Sequence, residues 1–397
     1  MKIFYYTYPW FFDVSVSFIR ALSRIVDLHV IVEVAPESRK GVLFDLTSIH
    51  LEPGIVSASP VLNSILPENV VKYWQDVKSF HLMVHDSAQS SNPKSLLRGR
   101  QLALLTEKIN PDLLYFDDVS LRLAISSLFL PHIPCAVGVH DPFPHSGEND
   151  WRTVVARKLI YKNANHFILH NEFQKKDFIK KFHIPSDTVK TFQLGVYDVY
   201  PLFTPTTDKC ETAKDNILFF GRISPYKGLE VFLDAARRAS EQLEHATFTI
   251  VGKPIHGYRF PKLPDLANGC RFEVRLEHVS AADMGAYFRN TACVVCPYLD
   301  ATQSGVVLTA YAFNKPVIAT RTGGLPEYVH QEETGLLVDP NDPIQLSNAM
   351  LRIFQDGNLR ARLKLGVLDI GNRLLNWDTI ASDYNVLFKA LAQNRRN

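Results

Sequence analysis

The sequence predicts an α/β fold of two Rossmann-like domains, and three observations predict it. Apolar strands and amphipathic helical segments alternate along the chain, and the alternation runs twice, over about 200 and then about 180 of the 397 residues. The strand segments are continuous apolar runs, as expected of parallel strands covered by helices on both faces. Between the two series lie Pro201, Pro205 and the polar run 206–215, which reads as a domain boundary. The expected division is a first domain over 1–205, a second over 206–377, and a last helix over 378–397 that crosses back to the first. The two domains are expected to face each other across a cleft. Ligands of such sheets bind beyond the carboxyl ends of the strands, so the loops after strands are where chemistry is sought.

In the first half, 2–8 is a strand, and 14–25 has helical periodicity with Val14, Phe18, Leu22 and Ile25 on one face. A strand over 28–34 follows. The stretch 37–93 is rich in Pro and Ser and has no ordered pattern. Beyond it come a helix (93–109), a strand (113–116), a helix (120–129), a strand (135–140) and a helix (150–162). A strand (166–169), a helix (172–181) and a strand (189–194) complete the domain. The second half opens with an apolar strand (216–220) and a helix (228–242), then strands over 248–251 and 271–276. A helix (281–289), a strand (292–296), a helix (305–313) and a strand (316–320) continue it. Helices over 342–355, 359–368 and 378–393 close the chain.

Composition narrows the function. Hydrophobic residues are 46% and charged residues 21%, with a formal net charge of +2, which excludes disordered, collagenous and coiled-coil classes. That charge leaves no footprint for broad electrostatic binding of nucleic acid or of an anionic membrane. The five cysteines are odd in number and irregular in spacing, so no disulfide framework is expected. Cys293 and Cys296 form a C-x-x-C inside an apolar strand and are expected to be inert core residues. A reducing, cytoplasmic compartment follows by default. The apolar start, MKIFYYTYPWFF, is interrupted by Asp13 and Arg20 and reads as a strand rather than a signal peptide. No run reaches the ~18–20 apolar residues of a spanning helix, so the chain is expected to be soluble or at most peripheral.

Four segments can carry chemistry. Gly221-Arg222, followed by Lys227-Gly228, comes directly after a strand and before a helix. Gly221 permits a sharp turn, and the two cations would sit over one anion at a helix N-terminus, a fit for a diphosphate. The plain alternative is two solvated surface cations. Gln303-Ser304-Gly305 opens a helix after a strand, where backbone N–H groups suit a phosphate, or where Thr302 or Ser304 simply caps the helix. In the third, Gly323 and Gly324 allow close backbone approach, and Glu327 at the start of a short helix is either a cap or a ligand to sugar or ribose hydroxyls. In the fourth, His140, Asp141, His145 and Glu148 crowd a strand end and a Pro-broken loop, where they can bind a hydroxyl or move a proton. The cluster could also suggest a metal, but its spacing is not diagnostic and no second cluster matches, so no metal is expected. His166 and His170 are read as structural. Trp10, Phe11 and Phe12 follow the first strand and either meet an acceptor or are buried between the domains.

The order of these segments is more specific than any one of them. GRISPYKG (221–228), ATQSGVVLTAYAFNKPVIAT (301–320), GGLPE (323–327) and TGLLVDP (334–340) resemble the family 4 retaining glycosyltransferases (glycosyl transferases group 1), which have the GT-B fold. The likeness is strong over about 216–354; the first half is similar mainly in topology and in His140-Asp141. The resemblance implies a hexosyltransferase-like enzyme that moves a sugar from a nucleotide-diphosphate-sugar to an acceptor with retention. Arg222 and Lys227 would bind the donor diphosphate, with Gly221, Gln303, Ser304, Gly305, Gly323, Gly324 and Glu327 around the donor. His140 would lie at the donor sugar. Trp10, Phe12, Asp141, His145 and Glu148 are the acceptor-side candidates. No cofactor or metal is implied, because the cations take the metal's place.

Two departures stand out. The family carries two glutamates eight positions apart, one at the donor sugar and one at the ribose; here the positions are Ala301 and Thr309. The glycine-rich loop expected after the first strand is replaced by Pro9-Trp10-Phe11-Phe12-Asp13. The segment 302–317 is similar to a subgroup of surface-polysaccharide assembly enzymes. The expected acceptor is therefore a growing polysaccharide or a lipid-linked saccharide, with the chain peripheral at the inner face of the membrane. Two other classes remain open on these residues: a nucleotide-sugar epimerase, and a non-catalytic scaffold or partner subunit on the same fold.

Overall fold

The computed structural model describes residues 1–90, 92–143, 151–203 and 216–393. The chain divides into two units. The first comprises Met1–Gly195 and Trp377–Asn397, and the second Val196–Asn376.

The first unit is built on strands β1 (Lys2–Thr7), β2 (Asp27–Val34), β3 (Gly54–Ser57), β4 (Ser79–Val84), β5 (Leu113–Asp117), β6 (Cys135–Val139), β7 (His166–Leu169) and β8 (Val189–Thr191). They form one sheet in the order β3-β4-β2-β1-β5-β6-β7-β8, parallel except for β3 against β4. Every residue of β5 and β6 is buried, which is why these strands read as unbroken apolar runs. Helices α1 (Phe12–Ser23), α2 (Ala58–Asn63), α3 (Glu68–Val71), α4 (Lys94–Ile109), α5 (Leu121–Ser127), α6 (Trp151–Tyr161) and α7 (Lys175–Phe182) connect them. The unpatterned stretch 37–93 thus contributes two strands and two short helices. Its β4, SFHLMV, interposes polar residues on the half-covered end of the strand and hides the periodicity.

The second unit carries β9 (Asn216–Phe220), β10 (Thr247–Val251), β11 (Arg271–Arg275), β12 (Cys293–Cys296), β13 (Val317–Thr320) and β14 (Gly335–Val338), all parallel, in the order β11-β10-β9-β12-β13-β14. Its helices are α8 (Leu229–Ser240), α9 (Ala281–Arg289), α10 (Gly305–Ala312), α11 (Pro343–Gln355) and α12 (Gly357–Arg373). β14 is absent from the strands read in the sequence: at four residues beginning with glycine it carries too little pattern. β11 ends the sheet and turns Arg271, Glu273 and Arg275 outward, the charged edge that discourages pairing with another chain. α12 is longer than the periodicity suggested, because Asp356 caps it by accepting a hydrogen bond from Leu359 N–H at 2.9 Å.

The expected boundary at 205–206 falls at 195–196 instead. The chain joins the second unit before the polar run begins: Val196 N–H bonds Leu375 O at 3.1 Å, and a Cβ on Gly305 would lie 3.1 Å from the Tyr197 ring. The polar stretch 204–215 lies outside the described residues. The last helix, α13 (Trp377–Gln393), packs in the first unit. Its Tyr384 meets Phe18 of α1 (ring centroids 4.6 Å apart) and Phe192 (4.6 Å), and Phe388 meets Tyr115 of β5 (5.4 Å). No helix among the described residues is long and apolar enough to cross a membrane. Cys293 and Cys296 are buried in β12; burial raises both thiols, Cys296 to about 11.

Candidate functional site

In each sheet the connections run outward in one direction and then reverse. The reversals fall between β1 and β5 in the first unit and between β9 and β12 in the second. A crevice at the carboxyl ends of the strands is expected at each reversal.

In the second unit the loops that follow β9, β12 and β13 are in direct contact. Gly221 leaves β9 with φ of 111°, and its N–H bonds Val251 O at 3.0 Å. Gly228 has φ of 70°, and a Cβ there would stand 2.0 Å from Pro297 O, so the loop lies against the end of β12. Leu299 N–H then bonds Tyr226 O at 2.8 Å. Lys227 extends over the buried Tyr298, its Nζ 3.9 Å from the ring centroid. The Tyr298 hydroxyl lies 3.1 Å from Ser304 Oγ. Behind this, Gly324 N–H bonds Thr302 O at 3.2 Å. The structure therefore brings Gly221, Lys227, Ser304, Gly305, Gly323 and Gly324 into one cluster of strand-end loops. Gln303 lies half-buried in its middle segment. Arg222 is exposed on the first loop.

Two details differ from the residue-level reading. Ser304 does not cap α10 with its side chain, because its hydroxyl is turned to Tyr298; α10 therefore opens at Gly305 without a side-chain cap. Glu327 is the last residue of a 3-10 turn over Leu325–Glu327, not the first of a helix, and it stands at the third position, where a capping carboxylate belongs. Both positions of the missing glutamate pair are also accommodated here. Ala301 is buried, and a Cβ on Gly323 would stand 1.5 Å from its carbonyl oxygen. Thr309 is buried and donates its hydroxyl to Gly305 O at 2.8 Å, within α10.

The first unit holds a different arrangement. His140, the residue after β6, is buried, and its Nε2 lies 2.8 Å from Oδ1 of Asp117 at the end of β5. The other oxygen of Asp117 accepts from Tyr5 Oη at 2.8 Å, Thr7 Oγ1 at 2.9 Å and Ser15 Oγ. Burial works to raise this carboxyl, but the charge of His140 and the hydrogen bonds from His140, Ser15 and Tyr5 outweigh it and hold the pKa below its ordinary value. Burial works to lower His140, and Asp117 outweighs that, so the imidazole is raised above its ordinary value. Phe11 stacks on His140 with centroids 4.1 Å apart and planes 12° apart. His170, the residue after β7, sits on the other side at 4.7 Å. Burial, then the charge of His140, presses His170 down to about 3.

Of the remaining candidates, Trp10 is 43% exposed and stacks on Tyr8 at 4.7 Å. Phe12, expected on the acceptor side, is instead fully buried within the first unit against Phe44, Phe80 and Trp74, where the closed aromatic cluster leaves it no surface to offer an acceptor. Asp141 is half-buried, with its carbonyl held by Arg157 Nη2. His145 and Glu148 lie outside the described residues. The sequence pattern does not point to Asp117, Tyr5, Thr7 or Ser15, and it reads His170 as structural. Asp117 had one available signal, its place at the carboxyl end of the strand beside the reversal.

These two doubly wound sheets define the GT-B class of glycosyltransferase folds. Residues 214–356, the stretch that holds GRISPYKG and GGLPE, match the family described as glycosyl transferases group 1, and the chain has a GT-B fold, as those segments led us to expect. Among relatives of known role it is 23% identical to the D-inositol 3-phosphate glycosyltransferase of Corynebacterium efficiens over 257 residues, which are 61% of this chain and 60% of that one. It is 28% identical to the protein of that name from Salinispora tropica over 267 residues, 61% of this chain and 54% of that one. The chain thus spans somewhat under two thirds of the length of these relatives. Among solved structures, Anabaena HepE in complex with UDP-glucose superposes with a TM-score of 0.66 at 16% identity, covering 98% of this chain and 100% of that one. Sucrose-phosphate synthase of Thermosynechococcus elongatus gives 0.64 at 16% identity, covering 98% and 99%.

Proposed function

We propose that the protein is a retaining glycosyltransferase that transfers a sugar from a nucleoside-diphosphate-sugar to a saccharide acceptor, free or lipid-linked. The observation that carries this is the meeting of three strand-end loops in the second unit, with Lys227 seated on Tyr298 beside Ser304 and the uncapped start of α10. A fixed cation next to a helix N-terminus is suited to a diphosphate. The cluster lies inside the segment that matches the family, and HepE, which shares the fold, is described with UDP-glucose. A uridine nucleotide is the donor we favour on that ground.

In the proposed reaction the acceptor oxygen bonds to the anomeric carbon as the carbon–oxygen bond to the diphosphate breaks. The acceptor proton passes to the departing phosphate oxygen, on the same face. Arg222 and Lys227 neutralise the diphosphate, and Gly305 and Val306 N–H groups face it. Catalysis then rests on positioning and charge neutralisation, and no metal enters it. We place this activity at the cytoplasmic surface of a membrane. The test is titration with UDP and UDP-sugars, followed by assay of UDP release with saccharide acceptors. Lys227→Ala is expected to lose both UDP binding and turnover while keeping its melting temperature within a few degrees. UDP binding by the wild-type chain with no turnover on any acceptor would favour a partner subunit, a reading to which Ala301 and Thr309 give some ground.

A further inference from the structure

The charge of the chain is unevenly spread. It totals +2, yet residues 151–190 hold nine Lys and Arg against three Asp and Glu. Within that segment, between α6 and the turn after α7, lies a cavity of about 780 Å³, a volume typical of ligand sites. Val154, Tyr161, Phe167 and Phe182 form apolar walls, and Lys158, Lys162 and Lys181 stand among them. The apolar surface continues outside. Trp151, one helical turn before the cavity-lining Val154 on α6, is 64% exposed, and Val154 is 67% exposed. Apolar surface of this kind, framed by cations, marks an interaction site.

We propose that this face of the first unit is a docking site for anionic phospholipid at a bilayer surface. The argument is complementarity of both charge and polarity. An anionic headgroup meets the lysines, and acyl chains cover the apolar walls and the exposed Trp151 and Val154. A soluble polyanion would satisfy the lysines and leave the apolar surface in water. The site is also tied to the strand-end loop of the same unit. Arg157, which borders the cavity, donates to Pro142 O at 2.9 Å and to Asp141 O, the two carbonyls that follow His140. A bilayer bound here would hold a lipid-linked saccharide close to that loop.

The test reads membrane binding rather than turnover, so its failure is separate from failure of the transferase assignment. The full chain is mixed with vesicles of phosphatidylcholine alone or with about a third phosphatidylglycerol, and floated on a density gradient. Binding to the anionic vesicles only is expected. Lys158→Ala with Lys181→Ala should weaken it roughly thirtyfold, from ~1 kcal/mol per basic residue at an anionic surface. Val154→Asp, at an exposed position, should weaken it comparably without loss of folding. Tryptophan emission should shift to the blue on binding, and Trp151→Phe should keep binding but lose the shift. The proposal is overturned if the wild-type chain ignores anionic vesicles, or if it binds acidic polysaccharide but not vesicles. It is equally overturned if the lysine pair binds like wild type, or if the blue shift survives Trp151→Phe.

Discussion

Asp117 at the end of β5 and His140 just after β6 are adjacent strand ends joined by a 2.8 Å hydrogen bond, and neither side chain reaches solvent. Each holds the other in its charged form. The Asp117 pKa is depressed, so its contribution to stability is present above its unfolded pKa and is lost as pH falls through the folded one. The His140 pKa is raised, so its contribution is complete below about 6.5 and is lost as pH rises through the folded value. Melting temperature is expected to fall on the alkaline side of neutrality, and His140→Gln should flatten that limb. A wild-type curve with no alkaline decline, measured by calorimetry from pH 6 to 9, would contradict the pairing.

His85 and His170 act in the opposite sense. Burial comes first in both, followed by Arg122 and Arg98 beside His85 and by His140 beside His170, and both are pressed to about 3. The unfolded chain binds protons near pH 6.5 that the folded one does not, so each residue makes stability fall as pH drops from about 6.5 toward 3. At pH 5 the loss is of order 2 kcal/mol per residue. His170→Gln should make the acid limb of the unfolding midpoint shallower, as followed by urea titration.

The ring beneath Lys227 is separable from the hydroxyl that meets Ser304. Tyr298→Phe keeps the cation over an aromatic face and is expected to weaken UDP binding only modestly. Tyr298→Leu removes both and should weaken it by about tenfold or more, a cation–π contact being worth ~1–2 kcal/mol when partly desolvated. Isothermal titration of the two variants with UDP decides this; equal affinities would show that the ring has no part in placing Lys227.

Gly323 has φ of 53°, and its missing Cβ would stand 1.5 Å from Ala301 O, a backbone atom that cannot swing aside. Gly323→Ala should therefore force two loops of the cluster apart. The expected cost is about 2–4 kcal/mol with a parallel loss of nucleotide binding. Thermal unfolding within a degree of the wild type would mean that the loops yield easily.

Trp10 and Phe12 are two residues apart and have different tasks. Phe12→Ala should cost ~3–5 kcal/mol, as expected for an aromatic ring removed from a closed cluster. Trp10→Ala should cost little stability and raise the acceptor KM with the donor KM unchanged. Equal destabilisation by the two substitutions would remove Trp10 from the acceptor side.

The second-unit cluster was legible because its parts are local. A glycine at a strand end, cations a few residues on and a helix beginning after a strand each leave a mark within one short window, as at 221–228 and 303–305. Most of the parallel strands were legible for the same reason, since burial on both faces writes an apolar run; β4 and β14 were not, because polar residues or shortness hid the run. The cluster around His140 was not. Tyr5, Ser15, Asp117 and His170 come from β1, α1, β5 and the end of β7, and only the placement of β1 beside β5, β5 beside β6 and β6 beside β7 assembles them. The aromatic run after β1 was ambiguous in sequence for a related reason: alternate residues take opposite sides of a turn, and only the fold sends Phe12 inward, Phe11 to His140 and Trp10 to the surface.

The position of α13 has a consequence for synthesis on the ribosome. Tyr384 and Phe388 cover Phe18, Tyr115 and Phe192, yet they are made only after the whole second unit has been translated. Until then the nascent first unit exposes a ring of aromatic side chains that nothing already synthesised can cover. Its folding is thus tied to synthesis of α13 rather than to its own length, and a ribosome stalled anywhere in the second unit would leave a sticky half-molecule for chaperones or proteases to claim. The final seventeen-residue helix acts as a late clasp, and a premature stop just before Trp377 would be read by the cell as misfolding of the other end of the protein.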